Sequence, residues 1–252
     1  MTNNFDSLAS NYSSSLQKLP DEYINLIKAS FFLDEQSHIV DIGCGSGLLT
    51  FPLSKISQNV VGLDISHNMI EIAKKQVESN KITWVERDIN RYTFANSFFD
   101  LIIAYESIHL FSKIETLLQN CFRGLKKNGF VCMGWCFHNW EAVLKEEILY
   151  VFKCHDIEWG EWKFQKFDDF EYLLNSDKIA GLSCVENKMI ETYQECKVEQ
   201  IVVYLTSISK VIGLDEGKKE RLRNDLFRRI SEKHGNVVRG NAQFFVRYSQ
   251  KK

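Results

Sequence analysis

The chain has 252 residues, a formal net charge of −2, 44% hydrophobic and 25% charged residues, a composition that suits one large α/β domain and excludes a disordered chain. A near-neutral balance argues against a protein that binds mainly by neutralising phosphates, and no apolar run approaches the length of a membrane span. The N-terminal MTNNFDSLASNYSSS has neither the basic cluster nor the apolar core of a secretory signal, and the seven cysteines include no CxxC pair, so reduced thiols in a cytoplasm are expected.

From residue 38 onward, strands and helices alternate as in a parallel sheet covered by helices. HIVDI (38–42) reads as the first strand and GLLTFPLSKIS (47–57) as a helix. NVVGLD (59–64) is the second strand, followed by the helix SHNMIEIAKKQVES (66–79), with Ser66 suited to its N-cap. KITWVERD (81–88) is the third strand, and FFDLIIAYES (98–107) the fourth, apolar nearly throughout as a strand buried on both faces should be. KIETLLQNCFRGLKK (113–127) predicts a helix closed by Asn128 and Gly129, before FVCMGWCF (130–137) as the fifth strand. Beyond 137 come an amphipathic stretch, an aromatic segment, a strand within LSCVENKMIETYQ (182–194), two helices within 197–235, and a last strand, NAQFFVRYSQ (241–250). One domain over 1–252 is expected, with its core in 1–137 and helical insertions at 138–180 and 195–235 that would form a lid over an acceptor. Cys132, Cys136, His138, Cys154 and His155 make no paired knuckle, so no metal site is expected.

The first strand runs straight into Gly43, Gly45 and Gly47. Glycines there tolerate positive φ and let a ligand lie against bare backbone, at the carboxyl end of a parallel strand where open α/β sheets bind. A dinucleotide fingerprint would need glycine at position 48, which is Leu48, and Asp41 just before the turn would oppose a pyrophosphate but tolerate a cationic cofactor. Asp64, closing the second strand, is placed to accept from both hydroxyls of a ribose. Asp88, after the third, is placed to accept from the exocyclic amine of a base.

These residues resemble a known family. VDIGCGSGLLT, VVGLDISHNMIEIAKK, VERDIN, FDLIIAYESIHLF and LKKNGF are similar to the successive motifs of class I S-adenosylmethionine-dependent methyltransferases, nearest to small-molecule enzymes of the trans-aconitate methyltransferase type. The resemblance implies a Rossmann-like, doubly wound seven-stranded sheet, mostly parallel with an antiparallel last strand. It implies S-adenosylmethionine as cofactor and S-adenosylhomocysteine as product, held by the glycine turn with Asp41 and Cys44, by Asp64 with Ile65 and Met69, by Asp88 with Ile89, and by Tyr105. It also implies that Tyr12, in FDSLASNY, lies near the methionine end.

Methyl transfer is an in-line displacement, and the protein must hold the acceptor opposite the sulfur and keep water out. The end of the fourth strand should face both reactants, which makes His109 the candidate acid, base or acceptor-orienting residue, with Tyr105 and Glu106 on the same rim. AYES lacks the proline-containing motif used on nucleobase amines. Trp135, Phe137, Trp140, Trp159, Trp162, Phe164, Phe167 and Phe170 suit a small, partly apolar or aromatic acceptor. KKERLRNDLFRR (218–229) reads as a solvated helix face opposite Leu222, Leu226 and Ile230, so nucleic acid is not the expected partner. A monomer or homodimer that does not enter a membrane is expected, with RNA, protein or a non-catalytic binding role as the alternatives.

Overall fold

The computed structural model describes residues 18–76, 79–138, 140, 143–158, 168–169, 171–172, 179, 181–183, 185–207, 211 and 213–252. Seven strands form one sheet: β1 (His38–Ile42), β2 (Asn59–Asp64), β3 (Ile82–Glu86), β4 (Phe99–Tyr105), β5 (Leu125–Phe137), β6 (Glu186–Lys197) and β7 (Val237–Gln250). Their order is β3-β2-β1-β4-β5-β7-β6. β1 pairs in parallel with β2 and β4, β2 with β3 and β4 with β5, and the last strand runs antiparallel. Among the described residues, the helices of eight residues or more are α1 (Asp21–Ser30), α3 (His67–Gln76), α4 (Ile114–Gly124), α5 (Lys145–Cys154), α6 (Val198–Thr206) and α7 (Glu216–His234), and the short α2 (Thr50–Ser54) follows the glycine turn.

The order reverses between β1 and β4, so the loops leaving these two strands part at their carboxyl ends and open the crevice where such sheets bind ligands. β1 lies at that point, with Ile39, Val40 and Ile42 buried, which is why HIVDI is apolar at three of its five positions. α1 buries Tyr23 and Ile27 at four-residue spacing. The Tyr23 ring lies 5.7 Å from Tyr105 and 5.3 Å from Phe244, and its hydroxyl donates to the Phe245 carbonyl at 2.9 Å. Phe31, just past α1, meets Phe130 at 5.1 Å and Tyr248 at 5.0 Å.

Several expected boundaries move, two of them at turn residues. The helix drawn to 127 ends at Gly124, and Leu125 already belongs to β5. Asn128 adopts a φ of 66° inside that strand, where the pairing with β4 shifts from Phe99↔Leu125 to Leu101↔Phe130. The Asn-Gly pair therefore marks a bulge and not a helix end, since the same residues serve either purpose. The helix expected over 47–57 shrinks to Thr50–Ser54 because the glycine turn takes up its first residues.

By contact density the chain divides into two compact units, one of residues 19–136, 161–190 and 244–252, the other of 1–18, 137–160 and 191–243. The first holds the strands around the glycine turn. The second has its own core, in which Leu144, Ile148 and Phe152 of α5 pack with Leu205 of α6 and Leu222, Leu226 and Ile230 of α7. Ion pairs bracket this seam: Lys233 donates to Glu147 at 2.6 Å, and His155 lies 3.0 Å from Asp225. The Lys233 ammonium holds the Glu147 carboxyl below the usual carboxylate range. Among the described residues no helix is long and apolar enough to cross a membrane.

Candidate functional site

The backbone leaving β1 is pinned before it turns. Gly43 N and Cys44 N both donate to the Leu63 carbonyl, at 2.7 and 3.1 Å. All three glycines have positive φ, 69° at Gly43, 54° at Gly45 and 92° at Gly47, but only one faces open space. A Cβ on Gly43 would lie 2.5 Å from Ser107 Cβ, and one on Gly47 would lie 2.7 Å from the Phe51 ring. A Cβ on Gly45 would meet nothing within 4 Å. Gly43 thus lets the loops after β1 and β4 touch, a contact fastened by Ser107 Oγ donating to the Ile42 carbonyl at 2.7 Å, and Gly45 presents bare backbone to the crevice.

Asp64 ties this turn to the next helix. Its Oδ2 accepts from Gly45 N and its Oδ1 from Ser66 N, each at 2.8 Å. A carboxylate oxygen can accept more than one hydrogen bond. Ser66 Oγ in turn accepts from Met69 N at 3.2 Å, the cap expected for α3. Ile65 is 41% exposed beside this carboxylate, whereas Met69 and Ile89 are buried. Asp88 Oδ1 accepts from Asn90 N at 2.9 Å and from Asn90 Nδ2 at 2.8 Å, opening a 3₁₀ turn over Ile89–Arg91. In register, Asp64 lies beside Glu86, the last residue of β3. Glu86 reaches His67 Nδ1 at 2.8 Å.

Beneath the turn lies Asp41, 1% exposed. Thr50 Oγ1 donates to its Oδ2 at 2.7 Å. Burial pushes its carboxyl up to about 7 against the hydrogen bond from Thr50, and the nearby Asp64 charge adds to the rise. Cys44 is buried alongside, and burial raises its thiol well above the usual value. A buried, protonated thiol is packing.

At the end of β4, Tyr105 is buried, and Glu106 takes a φ of 52°. Glu106 N donates to the Gly134 carbonyl at 2.9 Å, and its Oε1 accepts from Cys136 N at 2.7 Å. His109 follows, half-buried, on a 3₁₀ turn over Ile108–Leu110. The structure therefore brings Asp41, Gly43, Cys44, Gly45, Gly47, Asp64, Ile65 and Met69 around one turn, sets Asp88 and Ile89 after the neighbouring β3, and places Tyr105, Glu106 and His109 on the loop touching Gly43. Tyr12 lies outside the described residues, as do Trp159, Trp162, Phe164, Phe167 and Phe170. Trp135 stacks on Phe245, centroids 5.0 Å apart, and Trp140 is buried in the second unit's core. The residues that sequence reasoning missed are Thr50 and Ser107. Each acts through a partner nine or 64 positions away (Asp41 and Gly43), and no local pattern announces such a contact.

Residues 40–133 match the family model described as a methyltransferase domain. The malonyl-[acyl-carrier protein] O-methyltransferase of Priestia megaterium is 29% identical over 120 residues, which cover 47% of this chain and 43% of that protein. The ubiquinone biosynthesis O-methyltransferase of Coxiella burnetii is 28% identical over 148 residues, covering 56% of this chain and 63% of that one. The chain thus matches less than two thirds of the length of these relatives. Among solved structures, the YcgJ protein from Bacillus subtilis gives a TM-score of 0.57 at 14% identity, over 92% of this chain and 99% of that one. Phosphoethanolamine N-methyltransferase 2 of Haemonchus contortus, in complex with phosphomonomethylethanolamine and S-adenosylhomocysteine, gives 0.57 at 16% identity, over 99% of this chain and 58% of that one. At these identities the likeness is one of fold.

Proposed function

We propose that this chain is an S-adenosylmethionine-dependent methyltransferase acting on an oxygen or nitrogen of a small metabolite in the cytoplasm. The observation that carries the reading is Gly45: its N–H is held by Asp64 while the space before its Cα is open. That is a backbone cradle joined to a carboxylate, the pair of groups that the amino-acid and ribose ends of this cofactor require. The methyltransferase match over residues 40–133 supports it.

The cofactor, when bound, supplies a methyl group activated by a sulfonium. The chain's own residues would do the rest. Gly43, Cys44, Gly45 and Gly47 hold the amino-acid end on backbone, Asp64 receives the ribose hydroxyls, Ile65 offers an exposed apolar face to the base, and Asp88 receives its amine. Asp41 is buried beneath the turn and braces it through Thr50. His109 orients the acceptor or takes its proton, and Tyr105 walls the same rim. Oxygen as acceptor agrees with the names of the two curated relatives. The likeness to enzymes of the trans-aconitate type adds a carboxylate as one candidate for that oxygen.

Calorimetric titration of the full chain with S-adenosylhomocysteine tests this. The wild type should bind saturably in the micromolar range. Asp64→Ala should weaken binding by roughly 10- to 100-fold, the loss of charge-assisted hydrogen bonds, and Gly45→Arg should abolish it. A folded wild-type protein that binds nothing, or an Asp64→Ala variant that binds equally well, would overturn the reading.

A further inference from the structure

The pairing of β1 with β4 runs from Ile39↔Leu101 to Asp41↔Ile103. Beyond it the two chains part, one into the glycine turn and the other into the loop of Glu106 and His109. Ser107 reaches back across this gap. Its Oγ donates to the Ile42 carbonyl at 2.7 Å, a buried bond between residues 65 positions apart. A Cβ on Gly43 would come within 2.5 Å of Ser107 Cβ and 3.5 Å of Phe111 Cζ, so the serine packs directly on the bare backbone of the turn. Ser107 is 3% exposed, and water does not compete for its hydroxyl.

The same residue opens the 3₁₀ turn that carries His109. The Ser107 carbonyl accepts from Leu110 N at 2.9 Å, and the Ile108 carbonyl from Phe111 N at 3.2 Å. A serine at the start of a helical turn ordinarily lends its hydroxyl to that turn's free N–H groups. Here it makes no such cap and is directed to β1 instead. The other flank of the loop is fixed separately, by Glu106 N on the Gly134 carbonyl and by Cys136 N on Glu106 Oε1. The turn of His109 therefore follows two anchors, one to β5 through Glu106 and one to the end of β1 through Ser107.

We propose that Ser107 is a positioning residue that couples the two halves of the site: occupation of the glycine turn sets, through Ser107, the turn that carries His109. A ligand on the Gly45 backbone fixes the turn from Gly43 to Gly47. Gly43 lies against Ser107 Cβ, the Ile42 carbonyl just before it holds Ser107 Oγ, and the Ser107 carbonyl closes the turn of His109. The methyl donor thereby orders the acceptor side before the acceptor is held. A hydroxyl bonded to a main-chain carbonyl transmits position and moves no proton, so Ser107 acts through His109 and not on the reactants. The inference rests on the proposed methyl transfer.

The test is nuclear magnetic resonance of the histidine Cε1–H signals in the full chain, which has six histidines, with His109→Gln identifying the signal of His109. S-adenosylhomocysteine should displace that signal in the wild type. Ser107→Ala should lose most of the displacement while still binding, weakened by less than about tenfold, because Gly45 and Asp64 are untouched. Ser107→Cys, similar in shape but a weaker donor, should lose part of it. Asn120→Ala removes bonds to Phe94 N and to the Tyr92 carbonyl. It should lower the melting temperature yet keep the full displacement, which separates coupling from lost stability. A folded wild type that binds no S-adenosylhomocysteine would overturn the methyl-transfer reading and this inference with it. Binding that leaves the His109 signal in place, full displacement in both Ser107 variants, or an equal loss in Asn120→Ala would overturn the coupling alone.

Discussion

At the scale of single residues, the site separates groups that touch a ligand from groups that hold the backbone for them. Gly43 and Gly45 look alike in sequence, yet Gly43→Ala should cost roughly 2 kcal/mol or more, because the new methyl meets Ser107 as well as the positive φ. Gly45→Ala should cost only about 1 kcal/mol, the backbone penalty alone, and denaturant melting of the two variants checks this. Glu106 bonds to Cys136 N, which a glutamine oxygen can also do. Glu106→Gln should therefore keep stability within about 1 kcal/mol and leave the pH profile of turnover unchanged, while Glu106→Ala loses about 1–3 kcal/mol; a Gln variant without activity would restore an acid–base role. Asp41 gives a pH signature. Its native carboxyl titrates at about 7 against an ordinary 3.8, so between these values the folded state holds a proton that the unfolded chain has lost, and stability falls as pH rises through that window. Asp41→Asn, which still accepts from Thr50, should exceed wild type in stability by about 2–4 kcal/mol at pH 8 and by clearly less at pH 5. Equal gaps at both pH values would mean that Asp41 is ionised throughout.

At the scale of elements, the strands around the turn are set by apolar runs and the helices by their ends. Ser66→Ala should weaken α3 by about 1 kcal/mol through the lost cap. The effect on S-adenosylhomocysteine affinity should be slight, because Asp64 still holds Ser66 N. β1, β2 and β4 were legible within a residue or two, since a strand buried on both faces must be apolar along its length and ends where turn residues begin. The bulge at Asn128 was not, because the same Asn-Gly pair can end a helix or kink a strand, and only the pairing with β4 decides. In the site, the glycines, Asp64 and Asp88 stood out by type and spacing. What sequence could not divide was labour: which glycine faces open space depends on Ser107 and Phe51, and the backbone bond that orients Glu106 comes from Cys136, 30 positions away.

At the scale of the whole molecule, the net charge of −2 conceals a polarity. In the larger unit, carboxylates gather where the parallel strands end: Asp41, Asp64, Glu86, Asp88 and Glu106. Raising ionic strength from about 0.05 to 0.3 M should change S-adenosylhomocysteine affinity by less than about twofold, because contacts with a zwitterion sit close to the backbone. Parallel titrations at the two ionic strengths check this. The strand order carries one last consequence. β7 lies between β5 and β6, so the last strand in sequence is the wedge that joins β6 to the rest. During synthesis β6 has no neighbour to bond until residues 237–250 leave the ribosome, so the sheet closes by a late, long-range insertion. A nascent chain arrested before Val237 should therefore expose β6 as an open edge for chaperones, while β1 to β5 are already paired.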